Sequence, residues 1–587
     1  MLGECLEIFR SYTEEERENE ILKNYIPKDG TYILVMENGE AFVADIKLDK
    51  KTGQMSKSAG GYEDFCYYDY HSNLVSMNKP LDTNKVIHSN NYLSFFVKKE
   101  SILNGKLTKD IVDEYYDILE HPEKKYGKTA AMPIYENLET EIGAVDAEVL
   151  QRNRQWVLDH IFCIESLKQD IDMSKKDYLK IFFAADREVY RREGNRYLIP
   201  NIYNSNQYNV MVEGKTYGLP DNNQGMNAKK PFLSIKTRKS SAPYLLDRED
   251  AILQKQFFDY LMNFASVGKL NIYVDQERKA ILGYRNDEYP KESLSGFYLR
   301  IQKGKEVEIR DQDVVPFFDN HLKRPFAYEN RLGIEDEKNP EHEFGKICET
   351  LKEVEWLIND VFFSKMLVNN YFSEETDIKI TEESVKRMLL LSRRKLFGWL
   401  HLGNAAGMRD LLDQVSRELI IGSILNGHTL KAAKQLNLRM SLMQYFSEGG
   451  EEMADFSMEL RENLKVKIFS EEYMGLESDR EYYFAVGQLV RYFIYLSKAG
   501  KKKQSLINPF LNARTDAKLK ELLGKLYKKY NYDIPVGGEH VSRLYGMIEC
   551  YEPAGQVMQD MVSAGFVIDN LILEKKEKKE KEEKDDE

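Results

Sequence analysis

The chain has 587 residues, with 84 Lys and Arg against 97 Asp and Glu, and a formal net charge of −13. At about 150 residues per domain this length implies roughly three or four folding units. With 42% apolar and 31% charged residues it is too apolar for a chain disordered throughout, and its acidity argues against a general DNA coat. Local basic grooves remain open, because screening over about 10 Å makes the charge near a ligand matter more than the total. The acidic N-terminus lacks a signal-peptide pattern. The longest weakly charged apolar run, Leu419 to Leu430, is shorter than the roughly 20 residues that span a bilayer, so a cytoplasmic protein with no membrane association is expected. Cys5, Cys66, Cys163, Cys348 and Cys550 are scattered without a CxxC pair. Reduced thiols, no metal and no cofactor are expected.

In chain order, residues 1–340 read as an α+β portion. Thr31 to Met36 and Ala41 to Leu48 are β-rich runs joined through Asn38-Gly39, a hairpin signal in which both turn positions take positive φ. Tyr92 to Val97 has strand composition and Lys106 to Leu119 helical periodicity. Tyr197 to Leu246 alternates short β-like pieces with Asn- and Gly-rich turns. Residues 341–445 read as a helical connector, with helices at Phe344 to Leu367 and Glu382 to Leu402. Residues 446–573 read as an antiparallel helical bundle. Ser478 to Glu481 is a capping box opening a helix to Ala499 that Gly500 closes. Helices follow at Asp516 to Tyr530, Glu539 to Cys550 and Ala554 to Leu573. Residues 574–587 are a tail of six Lys and eight acids, solvated or fraying from the last helix. The fold class expected is α+β, with a mainly helical second half.

Enzyme signatures fail. The tripeptides Gly127-Lys128-Thr129 and Gly214-Lys215-Thr216 have Pro122 and Asn209 where a P-loop needs glycine. No HExxH, GxSxG or GxGxxG occurs. Glu337, Glu341, His342 and Glu343 read as a solvated acidic loop rather than metal ligands. The rival to a binding protein is a metal-dependent nuclease with a dispersed acidic site. No catalytic residue is singled out.

Three windows are basic. Lys229 to Lys239 carries Lys229, Lys230, Lys236, Arg238 and Lys239 with no acid, beside an Asn-rich loop that suits phosphate clamping and base contacts. Ser384 to Arg409 is acid-free. On a helix its pairs Lys386/Arg387 and Arg393/Arg394 share one face as a stripe about 10 Å long. Tyr482 to Thr515, also acid-free, carries Arg491, Lys498, Lys501, Lys502, Lys503 and Arg514 among tyrosines, a mixture that suits single-stranded nucleic acid. For most of those tyrosines core packing is the reading preferred.

The segment Ile87 to Lys99 (IHSNNYLSFFVKK) closely resembles a hallmark stretch of the large subunit of type I-B CRISPR Cascade, a crRNA-guided surveillance complex. Asn227 to Leu246 resembles that family's basic strand-loop, and Phe484 to Asn512 its C-terminal run. Many relatives carry a cysteine-rich zinc insertion near the first motif, of which only Cys66 remains here. The resemblance implies a non-enzymatic role in antiviral defence. Sequence is read by guide pairing, while this subunit recognises the protospacer-adjacent motif, promotes strand separation and R-loop stabilisation, and helps recruit a helicase-nuclease. It also implies partners: crRNA, target double-stranded DNA, the Cascade backbone and 5′-end-capping subunits, and a small subunit. On this reading Ser89, Asn90 and Asn91 lie at the motif-duplex surface, where short amides discriminate by hydrogen bonds. Lys98, Lys99, Lys229, Lys230, Lys236, Arg238 and Lys239 hold phosphates. Arg393, Arg394, Arg491, Lys498, Lys501, Lys502 and Lys503 line the displaced-strand path. The family commonly makes its C-terminal bundle separately by internal translation. Here Glu448-Gly-Gly-Glu-Glu452 must be encoded by a purine-rich tract just before Met453, which makes Met453 the candidate internal start.

Overall fold

The computed structural model describes residues 1–49, 55–56, 60–127, 129, 131–167, 171–204, 208–220, 244–304, 307–334, 344–447, 458–497, 503–535 and 538–574. It is α+β, with sheets in the N-terminal half and helices dominating the C-terminal half. Two units divide the chain: residues 1–285 with 295–314, and residues 286–294 with 315–587. The main boundary thus falls nearer 315 than 340.

In the N-terminal unit, β1 (Gly30–Val35), β2 (Ala41–Ile46), β3 (Ser94–Lys98) and β4 (Tyr178–Phe183) form a sheet of order β2-β1-β4-β3. β1 runs parallel to β4, and the outer strands pair antiparallel. Strand alternation sends Tyr32, Phe96, Lys180 and Phe182 to one face. There Phe65 of the helix Tyr62–Ser72 meets Tyr32 and Phe182 at ring distances of 5.5 and 5.8 Å. Phe95 and Phe183 point to the other face, against Tyr115 of Lys109–Glu120 and Trp156 of Ala147–His160. A near-continuous apolar composition is what a sheet covered on both faces requires. At the β1–β2 connection only Gly39 takes positive φ. Gly39 N–H donates to Met36 and Met36 N–H to Glu40, so the hairpin is a three-residue loop with a left-handed glycine rather than a two-residue mirror turn.

Two short strands, β5 (Val210–Val212) and β6 (Lys215–Tyr217), form a separate hairpin. β7 (Asn271–Asp275), β8 (Ala280–Tyr284), β9 (Leu294–Lys303) and β10 (Val307–Phe318) form a second sheet of order β10-β9-β7-β8. Its core is shared with the helices Leu2–Arg10 and Arg248–Ser266, where Phe9 packs on Phe257 and Tyr260.

In the C-terminal unit β11 (His321–Tyr328) pairs with β12 (Lys346–Thr350). The helix expected from Phe344 begins only at Leu351, because Thr350 and Glu353 form a capping box there, and it ends at Leu357 in a π turn over Ile358–Phe362. Glu382–Leu402 is confirmed as the helix Glu383–Leu402, closed by left-handed Gly403. Its His401 is buried and stacks between Phe397 and Tyr289 at 4.5 Å from each. Glu355 accepts from Tyr289, Tyr371 and His401. Burial favours the neutral acid, but His401 and the two phenols overcome it and hold the Glu355 pKa below its ordinary value.

Helices Met408–Leu425 and Thr429–Tyr445 follow. Arg439 is buried and donates to Asp413 at 2.6 Å, to Ser416 at 2.8 Å and to Asp560 at 3.1 Å. The bundle proper comprises Met458–Phe469, Asp479–Leu496, Asp516–Tyr530, Glu539–Cys550 and Gln559–Val567. Ser478 caps Asp479–Leu496, which ends at extended Ser497 instead of reaching Ala499. The stretch from Ala554 is not one helix: an irregular segment precedes Gln559–Val567, and a 3₁₀ turn at Leu571–Leu573 follows it. Asp479–Leu496 and Gln559–Val567 cross with backbones in contact at Gly487 and Gly565. A Cβ on Gly487 would stand 2.2 Å from the Val562 carbonyl oxygen, and one on Gly565 2.1 Å from that of Phe484.

Candidate nucleic-acid interface

The hallmark stretch Ile87 to Lys99 builds one end of the first sheet. Asp82 is buried, and its carboxylate accepts from the backbone amides of Asn84, Val86 and Ile87 at 2.8, 2.6 and 2.9 Å. This fixes the loop that carries Lys85, in the left-handed region at φ 57°, and His88.

Ser89, Asn90 and Asn91 are buried, which corrects the expectation of a surface reading head. Ser89 Oγ meets Tyr115 OH at 2.9 Å and accepts from Phe96 N–H. Asn90 donates to the carbonyls of His71 and Asn73 at 3.0 and 2.8 Å, satisfying the C-terminal end of the helix Tyr62–Ser72. Asn91 donates to Ser72 Oγ and Asn90 Oδ1 and accepts from Leu93 N–H. These amides use their hydrogen-bonding capacity on the fold, tying a helix end to the start of β3. Lys99 is likewise interior: it is 0% exposed, with its ammonium 2.7 Å from Asp177. A phosphate role is corrected to a buried ion pair.

What the scaffold presents outward is His88 and Lys98. Cross-strand pairing places Lys98 opposite Tyr178, and Tyr178 beside Gly30. A Cβ on Gly30 would lie 2.3 Å from the Tyr178 carbonyl, so β1 contributes no side chain there. Lys28, two residues earlier, instead places its ammonium 5.2 Å above the half-buried Tyr178 ring, within cation–π range. His88 Nε2 lies 3.1 Å from the Lys85 carbonyl and therefore carries the proton, leaving Nδ1, at 3.1 Å, to accept from Tyr178 OH. Burial, with Lys28 and Lys98 adding to it, lowers the His88 pKa and keeps the ring neutral. Lys98 is 48% exposed, and the carboxylate paired with it among the described residues, Glu100, is 3.9 Å away at the surface, a pair of little strength.

Below this edge, Lys180 donates to Asp69, both buried, under the Phe96 ring at 4.5 Å. Tyr25 OH donates to the other Asp69 oxygen at 2.7 Å. Burial lowers the Lys180 pKa against the pull of Asp69. Lys28, His88, Lys98 and Tyr178 thus form an outward group with two ammonium ions, a phenol and an imidazole. Sequence reasoning named only Lys98 of the four. The missing signal was the strand pairing that brings Lys28 and Tyr178 to it.

Elsewhere the expected residues are more committed. Arg393 donates to the carbonyls of Asn370 and Ser373 at 2.8 and 2.6 Å, and Arg394 lies 5.1 Å over Phe372. Arg387 pairs with Glu418 at 2.6 Å. The stripe on Glu383–Leu402 is real in register, yet half of it braces the neighbouring loop and helix. Arg491 donates to the carbonyls of Phe566 and Ile568, closing the end of Gln559–Val567. Burial lowers its pKa, and its guanidinium is committed to the fold, unlike the free cation expected for a strand path. Tyr482, Tyr483 and Tyr492 are core residues, whereas Tyr495 is exposed. Lys503 opens the 3₁₀ turn Lys503–Ile507. Lys229, Lys230, Lys236, Arg238, Lys239, Lys498, Lys501, Lys502, Met453 and the Glu337 to Glu343 cluster lie outside the described residues. Cys66 is buried and forms no disulfide among the described residues. Among the described residues no group of three or more His, Cys, Asp or Glu side chains is placed to share a metal ion, and no helix is long and apolar enough to cross a membrane.

No family model, curated protein or solved structure matches the chain.

Proposed function

We propose that the chain is the non-enzymatic large subunit of a crRNA-guided DNA surveillance complex of the type I-B Cascade kind. Its N-terminal unit contacts nucleic acid through the edge formed by Lys28, His88, Tyr178 and Lys98. The observation that carries this reading is the division of labour within the hallmark stretch. Its amides are consumed by the fold, and what they position is an outward pair of ammonium groups, Lys28 and Lys98, set about Tyr178 and His88 and suited to phosphate oxygens. The C-terminal helices support the same reading through the in-order resemblance of Phe484 to Asn512. Partners on this proposal are crRNA, target double-stranded DNA, the backbone and 5′-end-capping subunits, a small subunit and a helicase-nuclease.

The test is copurification with the neighbouring gene products followed by sequencing of any bound RNA. A complex with a uniform crRNA species is expected. Recovery of the chain alone, or with random RNA, would count against the proposal. The rival, a metal-dependent nuclease, predicts that the lone chain cleaves labelled DNA when Mg²⁺ or Mn²⁺ is added.

A further inference from the structure

Two adjoining clefts open in the N-terminal unit. One, of ≈ 170 Å³, has Tyr25, Leu74 and Met262 in its walls, and the other, of ≈ 120 Å³, has Asn195, Leu198 and Gln256. Tyr70, Asn73 and Lys255 line both, making one groove.

Lys255 and Arg191, its lysine and arginine, each stand beside a carboxylate. Lys255 Nζ lies 2.6 Å from Asp259, His71 Nε2 2.9 Å from Glu18, and Arg191 3.6 Å from Glu14. Tyr70 OH donates to Asp259 at 3.1 Å, and Lys255 also sits 5.2 Å over the Tyr70 ring. With every cation matched by a carboxylate, the groove has no surplus field for a phosphate. Several amide groups, by contrast, are unused. Asn73 donates to Tyr25 OH and to the Asp69 carbonyl, but its own oxygen accepts from nothing among the described residues. Gln256 accepts from Arg17 at 3.2 Å, and its NH₂ has no acceptor among them. The Asn195 amide makes no hydrogen bond to any described residue while lining the same cleft as both. None of the three is sealed from solvent, so each can pair with a polar ligand that enters the cleft. Here a donor and acceptor set stands beside an aromatic wall in a space of the size that holds a single ring.

We propose that this groove takes one nucleobase of a single-stranded nucleic acid. The base lies against Tyr70, and its edge is read by the amides of Asn73, Asn195 and Gln256, since Asn and Gln amides match the paired donor and acceptor of a base edge. A neutral, planar, hydrogen-bonding ligand suits a groove whose cations are already matched, and the phosphates of the same strand belong to the basic edge. The inference deepens the proposed nucleic-acid role and rests on it for the strand, but base binding is measurable separately.

The full chain is titrated with adenosine, cytidine, guanosine and uridine, and binding is followed by saturation-transfer NMR. In parallel, fluorescence anisotropy compares a single-stranded oligonucleotide with its abasic counterpart. At least one nucleoside is expected to bind. Asn195→Ala should weaken it about tenfold while leaving the abasic strand's affinity and the circular-dichroism melt unchanged. If Asn195→Ala shifts the melt, Gln256→Ala replaces it with the same expectation. Binding of no nucleoside, or equal binding by both variants and the parent, overturns the inference. Strand binding without nucleoside binding refutes the groove and spares the general function. Nucleoside binding without strand binding supports the groove and refutes the wider reading.

Discussion

Substituting Gly487 by Ala perturbs one atom at the tightest helix crossing of the C-terminal unit. The new Cβ would lie 2.2 Å from the Val562 carbonyl oxygen and 2.9 Å from Gly565 Cα. Ordinary C···O contacts are about 3.3 Å, so the helices must part by about 1 Å. Overpacking of this kind costs about 1–3 kcal/mol. The same displacement stretches the bond from Gln488 Nε2 to the Gly565 carbonyl, now 2.6 Å, out of hydrogen-bonding range. That loss is worth about 1 kcal/mol. Alanine's better helix propensity returns about 1 kcal/mol, leaving a net destabilisation of about 1–3 kcal/mol. Gly546 is the internal control, because its helix position has nothing within 4 Å of an added Cβ. There the same substitution should stabilise by up to about 1 kcal/mol. Hydrogen exchange of amides within Asp479–Leu496 reads the first effect locally and within Glu539–Cys550 the second, which suits a chain whose two units need not unfold together. A change in protection in Gly487→Ala equal to that in Gly546→Ala would refute the close-crossing argument.

Charge reversal at Lys28 or Lys98 should weaken binding of single-stranded nucleic acid and reduce the salt dependence of log K by about one per residue, as read by anisotropy across a salt series. An unchanged slope would remove that lysine from the interface. His88 has its pKa lowered in the free protein, so it contributes stability above its unfolded value of about 6.5 that is lost as pH falls through the folded pKa. A phosphate beside it raises that pKa. Affinity should therefore increase as pH falls from the raised bound-state pKa toward the lower free-state one, with proton uptake in calorimetry, and His88→Gln should flatten the profile. Asp69→Asn leaves the Lys180 ammonium buried without its counter-ion, and should cost about 3–5 kcal/mol in the melt of the N-terminal unit. Combining it with Lys180→Met should recover part of that loss, and a single variant that melts like the parent would contradict the pairing.

Local signals were legible where a side chain acts on its own backbone. Ser478 marks a helix start, Asp516–Tyr530 matches its expected limits because Thr515 caps it, and Glu539–Cys550 matches its limits through 3.6-residue periodicity alone. Phe344 to Glu349 was misread because a short half-buried strand shares its apolar spacing with a helix, and only the pairing of Lys346–Thr350 with β11 distinguishes them. The site was legible in part for the same reason. Ser89 to Asn91 stood out as a polar run, but whether an amide faces solvent or a helix end depends on where Tyr62–Ser72 stops, which lies some twenty residues upstream. Arg393 and Arg491 looked available because a sequence window shows missing carboxylates and cannot show backbone carbonyls, which are what both guanidinium groups use.

Arg439 has a bearing on how the C-terminal helices could exist apart from the rest. Its two carboxylate partners fall on opposite sides of Met453: Asp413 precedes that residue and Asp560 follows it. A polypeptide started at Met453 would inherit Asp560 without the guanidinium that neutralises it, on a helix face that the whole chain covers with Thr429–Tyr445. Such a fragment would therefore be more acidic on that face than the same helices are in the parent, and it would discriminate among its neighbours by that charge. An arginine offered from a companion subunit, at the place Arg439 holds within the chain, would restore the pairing in trans.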